Sequence, residues 1–222
     1  MRLCHVVQRH KLGLLMGLGV SWAVFTSVTW AVVVRGGPGF DRPLLTFFHQ
    51  HATPFLNALA IGLTIVGNTG PMVAAAVLIT GALWLRGRRR QAWVFALAVG
   101  GSMLLTQVIK ALVARPRPEL WVSIRPEHTF SFPSGHAMDT AALATALGFL
   151  AWRHRGRWWV WGLAPLFSLA VGWARLYLGV HHPSDVLAGW CAAVGWVVLV
   201  QVLAGTLDHA PRVGIPEEFH KS

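Results

Sequence analysis

Residues 12–34 read LGLLMGLGVSWAVFTSVTWAVVV, 23 positions without a charged side chain. At about 1.5 Å of rise per helical residue, such a run crosses a hydrocarbon core of about 30 Å. It is longer than the apolar region of a typical signal peptide, so it predicts a retained membrane anchor. Working outward, further apolar runs of spanning or near-spanning length fall at 71–85, 92–109, 135–152, 158–174 and 186–207. The fold class expected is therefore all-α: an integral membrane bundle of six transmembrane helices, with 1–222 forming one membrane domain. The apolar stretch 54–66 is only about a dozen residues long before Gly67-Asn68-Thr69-Gly70-Pro71 breaks it, and it predicts an additional interfacial helix. Residues 35–53 read as a Gly/Pro-containing outer segment carrying His49 and His51, and 208–222 as a polar cytoplasmic tail.

Composition narrows the function classes. With 55% hydrophobic and 12% charged residues, and a mean hydropathy of +0.53, the chain is too apolar for an ordinary soluble domain. The net charge of +11 does not point to nucleic acid, because the basic residues cluster in short stretches between apolar runs. Six spans place Arg2, Arg9 and Lys11, then Arg86, Arg88, Arg89 and Arg90, then Arg153, Arg155 and Arg157 on one side, which the positive-inside rule makes cytoplasmic. Trp84, Trp93, Trp152, Trp158 and Trp159 flank the basic loops as interfacial anchors. Both termini are then expected inside an inner, plasma-type membrane. Cys4 and Cys191 have no ligand spacing, and the few acidic residues form no carboxylate cluster suited to magnesium, so no metal and no cofactor is expected.

On that topology three polar blocks share the outer face. Lys110 ends an apolar run, and Arg115-Pro116-Arg117-Pro118 stops the helix while keeping guanidinium groups at the surface. A guanidinium grips two phosphate oxygens and an ammonium adds a compact charge, so Lys110 and Arg117 suit a phosphoryl group, whereas Arg115 is expected to snorkel to headgroups. Pro133-Ser134-Gly135-His136 opens the fourth span. Ser134 is either an ordinary helix cap or a phosphate ligand, since both uses draw on the same free backbone N–H groups, and Gly135 lets a ligand approach the backbone. A histidine at the membrane boundary, His136, is left over by the capping reading. In the third block Arg175 closes the fifth span, and His181 stands four residues before Asp185, a spacing that one helical turn closes. A carboxylate on one imidazole nitrogen frees the other as a nucleophile. By the same spacing His182 has no partner and is expected to pack. Asp139 either contacts His136 and lines the entrance, or complements the helix dipole. Glu119, Glu127 and His128 are expected to be solvated.

These blocks resemble the signature of the type 2 phosphatidic acid phosphatase superfamily: Lys-x6-Arg-Pro at Lys110 to Pro118, Pro-Ser-Gly-His at Pro133 to His136, and Arg-x5-His-x3-Asp at Arg175 to Asp185. One position departs, for Ala174 stands where the family usually has serine, which puts a supporting hydrogen bond there in doubt. The resemblance implies a metal-independent lipid phosphate or diphosphate phosphatase. In it His181 attacks phosphorus to give a phosphohistidine, Asp185 orients that ring, and His136 protonates the leaving lipid oxygen and then activates water. Lys110, Arg117, Ser134, Gly135 and Arg175 surround the phosphate. The implied partners are the bilayer and a phosphorylated lipid; undecaprenyl diphosphate, phosphatidylglycerophosphate and phosphatidic acid all fit. A lipid phosphotransferase using the same histidine is the nearest alternative, and a non-enzymatic lipid transporter the next.

Overall fold

In the computed structural model, which describes residues 2–152 and 158–208, the 12–34 run lies within a single long helix, α1 (Arg2–Arg35). Seven more helices follow among the described residues: α2 (Asp41–Gln50), α3 (Pro54–Val66), α4 (Thr69–Leu85), α5 (Arg89–Val113), α6 (Gly135–Trp152), α7 (Val160–Tyr177) and α8 (Pro183–Asp208). No strand occurs among them. Three are long and apolar enough to cross a membrane by themselves, over Leu12–Arg35, Arg89–Val113 and Pro183–Gly205. A fourth crossing arises if α3 and α4, bent by 44° at their junction, form one broken span. The bend has a local cause: Gly67 ends α3, and the Asn68 side chain accepts from the Gly70 N–H to start α4. The expected 135–152 run coincides with α6, while the 158–174 run begins two residues early and stops short, since α7 continues through Arg175 to Tyr177. Arg153, Arg155 and Arg157 of the expected cytoplasmic side lie outside the described residues.

The 35–53 segment holds α2, whose Asp41 and Leu45 are buried. The core centres on α6 and α8, where Ala141, Ala142 and Ala146 meet Ala192, Ala193 and Val197 with Phe95 and Val99 of α5. Small side chains let the backbones approach closely, which is how helices associate when the surrounding lipid is as apolar as leucine. Away from that core Leu78, Leu104 and Leu166 are exposed, as lipid-facing positions are. The chain is thus a membrane protein.

Two prolines and one glycine then place the polar blocks. Ala114 adopts a left-handed conformation at the end of α5, and Pro116 and Pro118 keep the chain from resuming the helix. After α7, Gly179 takes a φ of +67° with the Trp121 indole so close that an added Cβ would lie 2.6 Å away. That turn delivers His181 just ahead of Pro183, which starts α8.

Candidate active site

His181 precedes α8 and is fully enclosed. Its Nε2 lies 3.2 Å from Arg117 Nη1. Its Nδ1 faces Asp185, but at 3.7 Å from Oδ2, an ion-pair distance outside hydrogen-bond range. The Ser131 hydroxyl stands between them, 3.4 Å from Nδ1 and donating to Oδ2 at 2.5 Å. His182, expected to be only a packing residue, is nearer the carboxylate: its N–H donates to Oδ2 at 2.8 Å and its Nδ1 lies 3.2 Å from the same oxygen. Burial, and then the guanidinium groups of Arg175 and Arg117, hold the His181 imidazole well below its ordinary value of 6.5 against the raising effect of Asp185. His181 is therefore neutral near pH 7, with the Nε2 lone pair directed at Arg117 Nη1.

The cations are arranged by the loop between α5 and α6. Lys110 Nζ donates to Thr129 Oγ1 at 3.1 Å and to the Phe130 carbonyl at 2.9 Å. Arg117 donates to the carbonyls of Thr129 and Val180, each at 2.7 Å, and to Thr129 Oγ1 at 2.9 Å. Together with Glu127, Lys110 and Arg117 line an open cavity at the membrane-surface end of α5. Arg175 is fully buried, with Nη2 on Glu127 Oε1 at 2.7 Å and Nη1 3.4 Å from Thr64 Oγ1. Glu127, expected to be solvated, is thus the anion that covers Arg175. Burial alone would raise its carboxyl, but Arg175, with help from His136 and Arg117, holds it below the usual range, so it is ionised.

Three buried polar atoms of the motif residues have no protein partner: Ser134 Oγ, His136 Nε2 and Arg175 Nε. Ser102 Oγ and Trp190 Nε1 are likewise without a protein partner among the described residues, so what sets these three apart is that they belong to the motifs. The Ser134 hydroxyl makes no capping hydrogen bond to α6. His136 is within electrostatic reach of Arg175, Lys110, Arg117 and Glu127. Gly135 rests against Lys110, an added Cβ meeting its Cε at 4.0 Å. The Ser134 N–H donates to the Asp185 carbonyl at 3.0 Å, which ties the second block to the third.

Asp139, near the start of α6, is buried and accepts from Thr69 Oγ1 at 2.7 Å, which links α6 to the first residue of α4. Arg115 does not snorkel. It is 7% exposed and bridges Asp185 Oδ1 (2.6 Å) to Asp41 Oδ2 (2.9 Å). Ala174 packs against Ala60 of α3 among Tyr177, Leu178 and Val180, a wholly apolar setting. Sequence reasoning thus passed over Ser131, Asp41, Glu127 and the roles of His182 and Arg115. Only His182 carried a signal, its i,i+3 spacing to Asp185.

The chain is similar to known membrane phosphatases. Phosphatidylglycerophosphatase B of Bacillus subtilis is 30% identical over 142 residues, spanning 62% of this chain and 70% of that protein. Undecaprenyl-diphosphatase of Sulfolobus acidocaldarius is 27% identical over 169 residues, 74% of this chain and 78% of its own. The crystal structure of a transmembrane PAP2-type phosphatidylglycerolphosphate phosphatase from Bacillus subtilis superimposes with a TM-score of 0.75 at 25% identity, over 89% of this chain and 98% of that one. The family model for the PAP2 superfamily matches residues 91–207, a stretch that holds all three polar blocks, and the chain belongs to that superfamily.

Proposed function

We propose that this protein is a metal-independent membrane phosphatase that removes phosphate from a lipid monophosphate or diphosphate through a phosphohistidine on His181. The observation that carries the reading is the set of three unpartnered buried atoms, Ser134 Oγ, His136 Nε2 and Arg175 Nε, gathered with Lys110 and Arg117 around a neutral histidine. A phosphoryl group has the oxygens to satisfy them all, and charge spread over those oxygens is what preorganised donors stabilise.

The chemistry then runs in two balanced steps. The Nε2 lone pair of His181 attacks phosphorus, the bond from phosphorus to the lipid oxygen breaks, and protonated His136 gives that oxygen its proton. Neutral His136 next takes a proton from water as the water attacks phosphorus; the N–P bond breaks, its electrons return to Nε2, and inorganic phosphate leaves. Lys110, Arg117, Arg175, the Ser134 hydroxyl and the Gly135 N–H supply the charge stabilisation that a metal provides elsewhere. We read α1, α4, α5, α6, α7 and α8 as six spans with α3 at the interface, the site opening on the extracytoplasmic face opposite Arg86, Arg88, Arg89 and Arg90. A lipid then presents its phosphate while its tails stay in the bilayer. The relatives named for phosphatidylglycerophosphate and undecaprenyl diphosphate make those two headgroups the first substrates to assay.

The test is rapid quench of purified protein with labelled lipid phosphate. Wild type forms an acid-labile, alkali-stable phosphoenzyme, His181→Ala forms none, and His136→Ala accumulates label when the substrate carries a good leaving group. Label retained by His181→Ala at wild-type levels removes His181 as the nucleophile.

A further inference from the structure

Asp185 Oδ2 lies 3.7 Å from His181 Nδ1, an ion-pair distance, and the carboxylate is held there from several sides. Its Oδ1 takes Arg115 Nη1 at 2.6 Å, while the same nitrogen holds Ser184 Oγ at 2.8 Å. Arg115 Nη2 is in turn fixed by Asp41 Oδ2 at 2.9 Å and the Gly36 carbonyl at 3.0 Å. Asp41 also takes the Ser184 N–H at 2.9 Å and the Ser184 hydroxyl at 2.6 Å, so α2 is bolted to the start of α8. The chain wraps this cluster tightly: Gly37 has a φ of +133°, and an added Cβ would lie 2.3 Å from Arg115 Nη2. On the other side the His182 N–H holds Oδ2. Both carboxylate oxygens are thus occupied, with Oδ2 at 3.7 Å from His181 Nδ1.

The Ser131 hydroxyl fills that gap. Ser131 is wholly buried, and its N–H donates to the Arg115 carbonyl at 2.8 Å, so the residue that pins Asp185 also fixes Ser131. Its one proton goes to Asp185 Oδ2 at 2.5 Å, which leaves a lone pair toward His181 Nδ1 at 3.4 Å. We propose that Ser131 is a positioning residue that couples Asp185 to the nucleophile: His181 Nδ1–H donates to Ser131 Oγ, and Ser131 Oγ–H donates to Asp185 Oδ2. The chain of bonds fixes the Nδ1–H tautomer and aims Nε2 at phosphorus. When Nε2 bonds phosphorus the ring becomes an imidazolium, and the 3.4 Å contact shortens without any proton changing owner. Catalytic hydrogen bonds are commonly long before substrate binds.

The inference rests on His181 being the nucleophile, and a double-mutant cycle separates the two ideas. Phosphoenzyme formation is measured in wild type, Ser131→Ala, Asp185→Asn and the double variant, with the His181 tautomer read by nitrogen NMR of ¹⁵N-histidine-labelled protein. Loss of a hydrogen-bond partner that orients a metal-ligating histidine costs about 10- to 100-fold, and the same scale is expected for His181. Ser131→Ala is expected to slow phosphorylation by that much with KM within about 3-fold, and to mix the His181 tautomers. In the Asp185→Asn background the same change is expected to cost less than about 3-fold, because residues acting as one unit are not additive. Wild-type rates in Ser131→Ala, an unchanged tautomer, or a full loss that persists in the Asp185→Asn background would each overturn the relay. Phosphohistidine on His181 in those same samples would leave the nucleophile assignment standing.

Discussion

Replacing Arg175 with lysine keeps the charge and removes the geometry. Arg175 is buried, with Nη2 on Glu127 at 2.7 Å, Nη1 toward Thr64 at 3.4 Å, and Nε without a protein partner. A guanidinium serves three directions at once through its fixed fork, whereas an ammonium is a single point of charge. In Arg175→Lys the Nζ stays on Glu127 or turns to the phosphoryl group, but it does not do both. The transition state therefore loses one preorganised donor, worth roughly 3–4 kcal/mol or about 10²- to 10³-fold in kcat. The donor matters most where charge builds up on the phosphoryl oxygens, so KM should move by less than about 10-fold. Orthovanadate imitates five-coordinate phosphorus, and its Ki should rise by about the same factor as kcat falls. Phosphate release from lipid phosphate in detergent, with vanadate titrated in parallel and the melting temperature followed as a control, measures all three quantities. If Arg175 merely anchored the loop through Glu127, lysine would keep that contact and lower only the melting temperature. A kcat within about 3-fold of wild type together with an unchanged vanadate Ki would refute the phosphate role.

Glu127→Gln should lower KM by about 3- to 10-fold, because a carboxylate at 2.7 Å from Arg175 competes with the phosphate and a neutral amide does not; with Glu127 still 25% exposed, such a pair is worth about 1 kcal/mol. Steady-state kinetics on the same lipid would count against that competition if KM rose instead. The pH dependence follows from His181, whose folded-state pKa is well below 6.5 through burial and then the charges of Arg175 and Arg117. Its ring should stay neutral as pH falls through 6.5, and its contribution to stability, present above that pH, should be lost on further acidification as the unfolded chain binds a proton that the folded chain refuses. A ¹⁵N-histidine titration, with His181 assigned by its disappearance in His181→Ala, would contradict this with a midpoint at or above 6.5.

The parts of this molecule that a linear reading reaches are those whose cause is local. Apolar runs specify helices in lipid because the backbone has no other partner there, and α1 and α6 fall where the composition puts them. The motif residues were legible because charges at the ends of such runs are costly unless they are used. What escaped has a non-local cause. Asp41 meets Arg115 across 74 positions and Ser184 across 143, so neither α2 nor the burial of Arg115 leaves a mark in either neighbourhood. Glu127 finds Arg175 only through the path of the loop. The pairing of His181 with Asp185 was legible from its spacing, although the two do not share one helix. An i,i+4 pair assumes that one helix holds both residues, but Pro183 is a helix-start signal, and it puts His181 and His182 ahead of α8. Both His182, at 3.2 Å, and His181, at 3.7 Å, then meet Asp185 Oδ2 from ahead of the helix. A buried carboxylate is tolerated only when it is paired and hydrogen-bonded, and the motif alone gives Asp185 too few partners. The missing ones, Arg115 and Ser131, had to come from the α5–α6 loop, which makes that loop as necessary to the chemistry as the motifs it connects.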